Sequence, residues 1–277
     1  MSTKKSGPAG SVRRKRKTKT RTGSGRPTRR ALVRWGAGLL LAAGFGYLAA
    51  TVVPDPLRPS ADATVRGVPA ATVRIGAYRG RGGGIEIAPA DGEAAVLLIL
   101  YPGGLVRPHA YAWLGVALAP VGIRTLIPTM PLDLAVLGRD RAGSLARSMR
   151  NGERGVVLAG HSLGGTMAAW YAARNPGTID GLILMGAYPP PGVDLAGQDL
   201  PTLLLAAEFD GLATLEEVRE GRARLPEGTG LEVIGGAVHS FFGRYGPQRG
   251  DGLPTVPRSV AEAEIAGSVE AFLASLR

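Results

Sequence analysis

Gly160-His161-Ser162-Leu163-Gly164-Gly165 decides how the rest of this chain is read. The six residues fit the G-x-S-x-G nucleophile elbow, in which a serine sits on a sharp turn between a strand and a helix. Gly155-Val156-Val157-Leu158-Ala159 precedes them, a short apolar run that predicts a buried strand. Thr166 to Arg174 follows, rich in Ala and aromatics and stopped by Asn175-Pro176, which predicts a helix. The flanking glycines let strand and helix pass close to the turn, where a Cβ would collide. Against the alternative of an ordinary Gly-rich turn, this context favours Ser162 as a nucleophile.

An activated serine needs a base, and the base needs an orienting acid. The chain has three histidines, so the search is short. His161 adjoins the serine, its side chain is expected to point away, and it makes a poor base. His109 follows Arg107-Pro108 ahead of the elbow and reads as a surface or pocket-rim residue. His239 lies in a loop after the apolar segment Leu231 to Ile234, where the chain order serine, acid, histidine places a base. The acid then belongs between them, at the end of a strand. Pro201 to Ala207 reads as that strand, and Glu208-Phe209-Asp210-Gly211 follows it. Asp210, just before a turn glycine, is the best candidate, with Glu208 the runner-up. Asp194 and Asp199 fall in a Pro/Gly-containing linker and read as solvated.

Acyl transfer also needs donors for a developing oxyanion. Leu163 N–H, directly after the serine, is expected to supply one. The other is expected from Tyr101-Pro102-Gly103-Gly104-Leu105, the loop after the apolar strand Ala95 to Leu100. There the donor is Gly104 or Leu105, unless the pair of glycines is only a turn.

With these residues in place the chain resembles the α/β-hydrolase superfamily over roughly residues 71–277, and more narrowly the membrane-anchored bacterial α/β-hydrolase family 5 group. The shared stretches are Tyr101 to Val106, Ala110-Tyr111, Met130-Pro131-Leu132-Asp133-Leu134-Ala135, the elbow, and Phe209-Asp210-Gly211. They continue with His239, Phe242-Gly243, Tyr245-Gly246, Gln248 and Gly250-Asp251-Gly252. The resemblance implies a hydrolase whose triad falls on Ser162, Asp210 and His239, and it names no substrate. One departure is that Val238 stands where the group has Asn, which removes a possible loop-ordering hydrogen bond but no catalytic group.

Composition bounds the rest. There is no cysteine, which excludes disulfides, thiolate catalysis and cysteine-ligated metal. With three scattered histidines no metal or other cofactor is expected. The formal charge of +11 is misleading until divided, because residues 1–34 hold thirteen Lys or Arg and no acid. The remainder is near neutral, at −2. The basic tail is low in complexity and precedes nineteen uncharged residues, Trp35 to Val53. A helix of that length spans about 28 Å, close to the ~30 Å hydrocarbon core of a bilayer.

Positive residues ahead of a first apolar segment hold the N-terminus in the cytoplasm. This predicts a single-pass signal anchor at 35–53 in the cytoplasmic membrane, with the catalytic domain outside. Affinity of the tail for anionic lipid is expected rather than nucleic-acid binding. Export after cleavage near Ala63 is the alternative, and Thr28 to Arg34 resembles a twin-arginine signal. Gly38, Ala42, Gly46 and Ala50 form a small-residue stripe, weak ground for dimerisation, and the oligomeric state is left open. Residues 54–70, rich in proline, read as a stiff spacer to a domain at 71–277.

Eight strands are predicted, at Thr72 to Ala77, Gly84 to Ala88, Ala95 to Leu100, Ile123 to Ile127, Gly155 to Ala159, Gly181 to Met185, Thr202 to Ala207 and Leu231 to Ile234. Helices are expected at His109 to Pro120, Leu134 to Met149, Ser162 to Arg174, Leu215 to Arg224 and Val260 to Leu276. Apolar strands alternating with helices specify an α/β class, a mostly parallel sheet covered on both faces. The short Pro/Gly-rich stretch after Met185 leaves room for a minimal cap or none. Tyr101, Tyr111, Trp113, Tyr188, Phe241 and Phe242 are candidate pocket aromatics, each equally readable as core. The expected chemistry is cleavage of a carboxylic ester, thioester or lactone of a small acyl substrate through an acyl-enzyme. An acyltransferase on envelope lipids or glycans, or an idle binding module, stays open.

Overall fold

A computed structural model describes residues 60, 63, 69, 71–77 and 82–276. The basic tail and the apolar segment 35–53 lie outside the described residues, as does most of the proline-rich stretch 54–70. Among the described residues no helix is long and apolar enough to cross a membrane.

All eight expected strands form, as β1 (Ala71–Ala77), β2 (Gly83–Pro89), β3 (Val96–Tyr101), β4 (Ile123–Pro128), β5 (Gly155–His161), β6 (Gly181–Met185), β7 (Thr202–Ala207) and β8 (Gly230–Ile234). They make one sheet in the order β1-β2-β4-β3-β5-β6-β7-β8. β2 pairs antiparallel with both β1 and β4, and every other pairing is parallel. The central strands are buried along their whole length, so successive side chains feed two different cores. Leu98, Leu100, Val157 and Ala159 pack on one face with α1 (Ala112–Leu118) and α5 (Arg258–Ser275). Leu97, Ile99, Val156 and Leu158 pack on the other with α2 (Arg141–Met149), α3 (Leu163–Arg174) and α4 (Leu215–Gly221). Arg124, buried within β4, is held by Glu86 at 2.8 Å and Glu153 at 2.6 Å, which accounts for a charge inside an apolar strand.

The helices depart from expectation where the chain serves the site. Between Leu134 and Met149 helix was expected throughout, yet α2 starts only at Arg141. Ahead of it come two short 3₁₀ turns, Pro131–Asp133 and Ala135–Leu137. Leu132 and Asp133 there adopt φ of 53° and 55°, which no helix tolerates. The Asp133 carbonyl is instead turned to accept a hydrogen bond from Leu105 N–H at 2.7 Å. The expected helix from His109 is likewise a 3₁₀ turn, Pro108–Tyr111, leading into the shorter α1.

The stretch between β6 and β7 contains no helix or strand. Val193, Leu195 and Leu200 are buried in the core beneath it, so this segment packs down as a strap rather than rising as a cap. Ser60, in the proline-rich stretch, also binds the domain. Ser60 N–H donates to the Arg244 carbonyl at 2.9 Å, and Arg258 Nη1 donates to Ser60 Oγ at 3.0 Å.

Candidate active site

The elbow forms with its serine under backbone strain. Ser162, at the junction of β5 and α3, has φ 52° and ψ −124°. Close approach explains the three glycines of the motif. A Cβ on Gly160 would lie 2.5 Å from the Gly164 carbonyl, one on Gly164 2.3 Å from the Tyr101 carbonyl, and one on Gly165 2.7 Å from the Gly160 carbonyl. These neighbours are backbone and cannot step aside. The described residues hold four non-glycine positions with positive φ, namely Leu105, Leu132, Asp133 and Ser162. All belong to this site or its immediate support, the pattern expected where strain serves function.

Asp210 and His239 meet directly. His239 Nδ1 lies 2.8 Å from Asp210 Oδ2, and both side chains are buried. The other carboxylate oxygen, Oδ1, accepts from Leu212 N–H at 2.9 Å and Ala213 N–H at 2.7 Å. Those two donors fix which oxygen faces the imidazole. Glu208 is exposed and takes the Gly236 N–H at 2.7 Å, which removes it from contention as the partner. Asp194 and Asp199 are exposed, as expected. His109 is half-buried in its 3₁₀ turn.

Ser162 is tied by its backbone to the strand next to its own. Its N–H donates to the Met185 carbonyl at 3.0 Å. Gly186, the next residue, lies so close that a Cβ on it would be 3.0 Å from Asp210 Oδ2 and 3.1 Å from His239 Nδ1. His239 Nε2 is buried with no hydrogen-bond partner.

The loop after β3 leaves one amide free. Gly103 N–H donates to Tyr111 Oη at 2.9 Å, Leu105 N–H to the Asp133 carbonyl at 2.7 Å, and Val106 N–H to the Gly103 carbonyl at 3.2 Å. Of the two candidates Gly104 and Leu105, the second is therefore committed elsewhere, and Gly104 N–H has no acceptor among the described residues. Leu163 N–H, at the first position of α3, is free for the general reason that a helix start leaves its first amides unpaired. The two residues touch, since a Cβ on Gly104 would be 3.2 Å from Leu163 Cδ2.

Asp251 escaped the sequence reading as a functional residue. Its Oδ1 accepts from His239 N–H and its Oδ2 from Ser240 N–H, each at 2.9 Å. It thereby orders the loop that carries the imidazole, a role for which Val238 offers no side-chain donor or acceptor. The glycines around it pack backbone on backbone: a Cβ on Gly211 would meet the Gly250 carbonyl at 2.1 Å, and one on Gly252 the Phe209 carbonyl at 1.9 Å. Gly252 N–H also donates to Oδ1 at 2.9 Å, so replacing Asp251 by Asn sets an amide N–H₂ against at least one of three backbone donors. The expected result is roughly a tenfold fall in kcat with the fold intact, from the ~1–3 kcal/mol cost of one unsatisfied buried group. Parallel kinetics and thermal melts check it.

His161 is fully buried, hydrogen-bonded through Nδ1 to Tyr111 Oη at 2.8 Å, and its ring lies 4.5 Å from that of His239. Burial, assisted by the neighbouring His239, pushes its pKa well below the usual imidazole value. The His239 main chain lies close enough to offset this in part, although Nε2 makes no well-formed hydrogen bond. Burial also raises the Tyr111 and Tyr245 phenols, so both stay protonated around it. The sign follows from linkage. Above about pH 6.5 the ring is neutral folded or unfolded, whereas below it the unfolded chain binds a proton that the folded one refuses. Stability should fall as the pH drops below about 6.5, at up to about 1.4 kcal/mol per pH unit from this ring. Denaturant melts at several pH values should show a shallower slope for His161→Asn than for the natural chain.

Tyr101 proves to be structural: its hydroxyl accepts from Ala142 N–H at 2.6 Å and donates to the Arg139 carbonyl at 2.9 Å, tying α2 to β3. Trp113, Phe241 and Phe242 are buried in the core, and Tyr188 is half-buried. Among the described residues no cluster of His, Asp and Glu has the makeup of a metal site.

No curated protein matches this chain. A family profile described as alpha/beta hydrolase matches residues 97–262, more than half of the chain, from within β3 to the first turns of α5. That span includes the free amide of Gly104, the strained serine, and the carboxylate–imidazole pair, and the chain belongs to the alpha/beta hydrolase family.

Proposed function

We propose that the protein is a serine hydrolase that cleaves a carboxylic ester, thioester or lactone through a covalent acyl-enzyme. The observation that carries this reading is the buried Asp210–His239 pair beside a strained, half-buried serine and two free amides. Asp210 accepts the Nδ1 proton, so the His239 Nε2 lone pair is free to receive the proton of Ser162 Oγ. As that proton leaves, Oγ bonds to the carbonyl carbon, and the carbonyl π electrons move to oxygen. Gly104 and Leu163 N–H then donate to the alkoxide. When the tetrahedral adduct collapses, the bond to the leaving group breaks and the proton on Nε2 passes to it. Water attacks the acyl-enzyme by the same route, returning Ser162 and releasing a carboxylic acid.

The division of charge along the chain supports a membrane-tethered enzyme with its site outside the cytoplasm and its basic tail within. The strap after β6 leaves the site without a cap, which suits small acyl groups and access by water. Incubation of the full chain with nitrophenyl esters of graded acyl length tests the reading. Release of nitrophenol and of the free acid is expected. If added alcohol acceptors captured the acyl group to the exclusion of water, the protein would be an acyltransferase instead.

A further inference from the structure

Behind the serine lies a buried polar column that the acyl-transfer steps leave unused. Gly103 N–H fills one lone pair of Tyr111 Oη at 2.9 Å, and Oη is 2.8 Å from His161 Nδ1. A phenol has one proton to give, and His161 Nδ1 is the acceptor within reach. A neutral His161 therefore carries its own hydrogen on Nε2, toward the main chain of His239. The column is filled to contact: a Cβ on Gly103 would lie 2.9 Å from Tyr111 Oη and 3.0 Å from His161 Nδ1.

This column sets the direction of the free amide. The peptide between Gly103 and Gly104 is planar, so its N–H points opposite to its carbonyl. That carbonyl is held by Val106 N–H at 3.2 Å. On either side the chain is pinned by Tyr111 Oη at Gly103 and by the Asp133 carbonyl at Leu105. With both flanks fixed, the residue is held where it meets Leu163, a Cβ on Gly104 lying 3.2 Å from Leu163 Cδ2. Of these pins the Tyr111 hydroxyl alone is a side chain, and its own orientation depends on His161, the residue next to the serine.

We propose that Tyr111 and His161 are positioning residues that aim the Gly104 amide at the oxyanion and couple that loop to the nucleophile's own strand. The inference rests on the acyl-transfer reading above. Neither side chain is placed against the acyl group itself, although the His161 ring packs on that of His239 at 4.5 Å. Their effect belongs to the transition state, where the amide is needed, and not to substrate binding. The neutral state of His161 is part of the device, because an imidazolium has no lone pair to accept the Tyr111 proton.

Tyr111→Phe removes one oxygen and keeps the ring. In the full chain it should lower kcat for a nitrophenyl ester by about 10- to 100-fold, less than the ~10²–10³ seen when an oxyanion donor is deleted outright. KM should stay within about twofold. Affinity for a trifluoromethyl ketone, which forms a tetrahedral alkoxide on the serine, should fall in parallel with kcat. His161→Asn retains an acceptor near Nδ1 and should keep most of kcat, whereas His161→Leu should lose as much as Tyr111→Phe. This pair carries the same test should Tyr111→Phe not fold. With three histidines in the chain, ¹⁵N-histidine spectra can also read the tautomer, with bare Nδ1 and protonated Nε2 expected at His161. An active natural chain whose Tyr111→Phe variant keeps kcat, or a protonated Nδ1 at His161, overturns the inference alone. A natural chain inert to both ester and ketone overturns the acyl-transfer reading, and the inference with it.

Discussion

Ser162→Ala is expected to lower kcat/KM for short-chain nitrophenyl esters by roughly 10⁴-fold or more. The change deletes one oxygen from a side chain that makes no structural hydrogen bond. Ser162 is anchored by its backbone, N–H to the Met185 carbonyl at 3.0 Å and carbonyl from Thr166 N–H at 3.0 Å. Both bonds survive the substitution, so the elbow should keep its shape and its φ of 52°. Cooperative unfolding at a nearly unchanged temperature would show that the loss is chemical. Residual rate above water is expected from the amides of Gly104 and Leu163, which still bind the oxyanion of a water-attacked ester.

The second large effect belongs to Asp210→Asn, and the surrounding donors dictate its direction. Leu212 and Ala213 N–H both point at Oδ1, so an asparagine there must place its carbonyl oxygen toward them. The amide nitrogen then faces His239 Nδ1 across the 2.8 Å contact. A donor at that position makes Nδ1 the acceptor and drives the imidazole proton onto Nε2, where the base must be bare. A loss of about 10⁴-fold in kcat is expected, with substrate binding little changed. Histidine ¹⁵N shifts should report the tautomer exchange at His239. Glu208 cannot take over, since its carboxylate is exposed and occupied by Gly236 N–H.

The elbow's geometry was legible in the sequence because its parts are local. Strand, turn and helix around Ser162 are spelled by twenty successive residues, 155–174, and steric demand puts glycine at 160, 164 and 165. The inner strands were legible because a strand buried on both faces is largely apolar, and the edges of all eight moved by at most two residues. What escaped depends on pairs far apart in the chain. Tyr111 and His161 are fifty residues apart, and a hydroxyl bridging to Gly103 leaves no periodic trace. The choice between Gly104 and Leu105 needed the Asp133 carbonyl, which reaches Leu105 only because Leu132 and Asp133 leave the helical region. Within the expected helix, Leu134 (φ −117°, ψ 113°) and Gly138 (φ −130°, ψ 19°) leave the helical region and only a 3₁₀ turn forms between them, so the helix starts late, at Arg141. Asp251 was visible within the Gly250-Asp251-Gly252 motif, but its two bonds to the His239 loop are set by folding.

The proposed site also explains features that burial alone does not. A buried imidazole beside the serine, held neutral, contributes less to stability than an apolar side chain of similar size would. Four strained non-glycine residues gathered around one loop and one turn point the same way. Both are readily understood if Gly104 N–H must be held within about 0.5 Å of its working position.

The most direct measurement treats the full chain with a fluorophosphonate and locates the adduct by peptide mass spectrometry. A single modified residue, Ser162, is expected, with labelling lost in Ser162→Ala and slowed by orders of magnitude in Asp210→Asn. A chain that stays unlabelled while folded, or that is labelled equally well when Ser162 is alanine, would contradict the acyl-transfer reading.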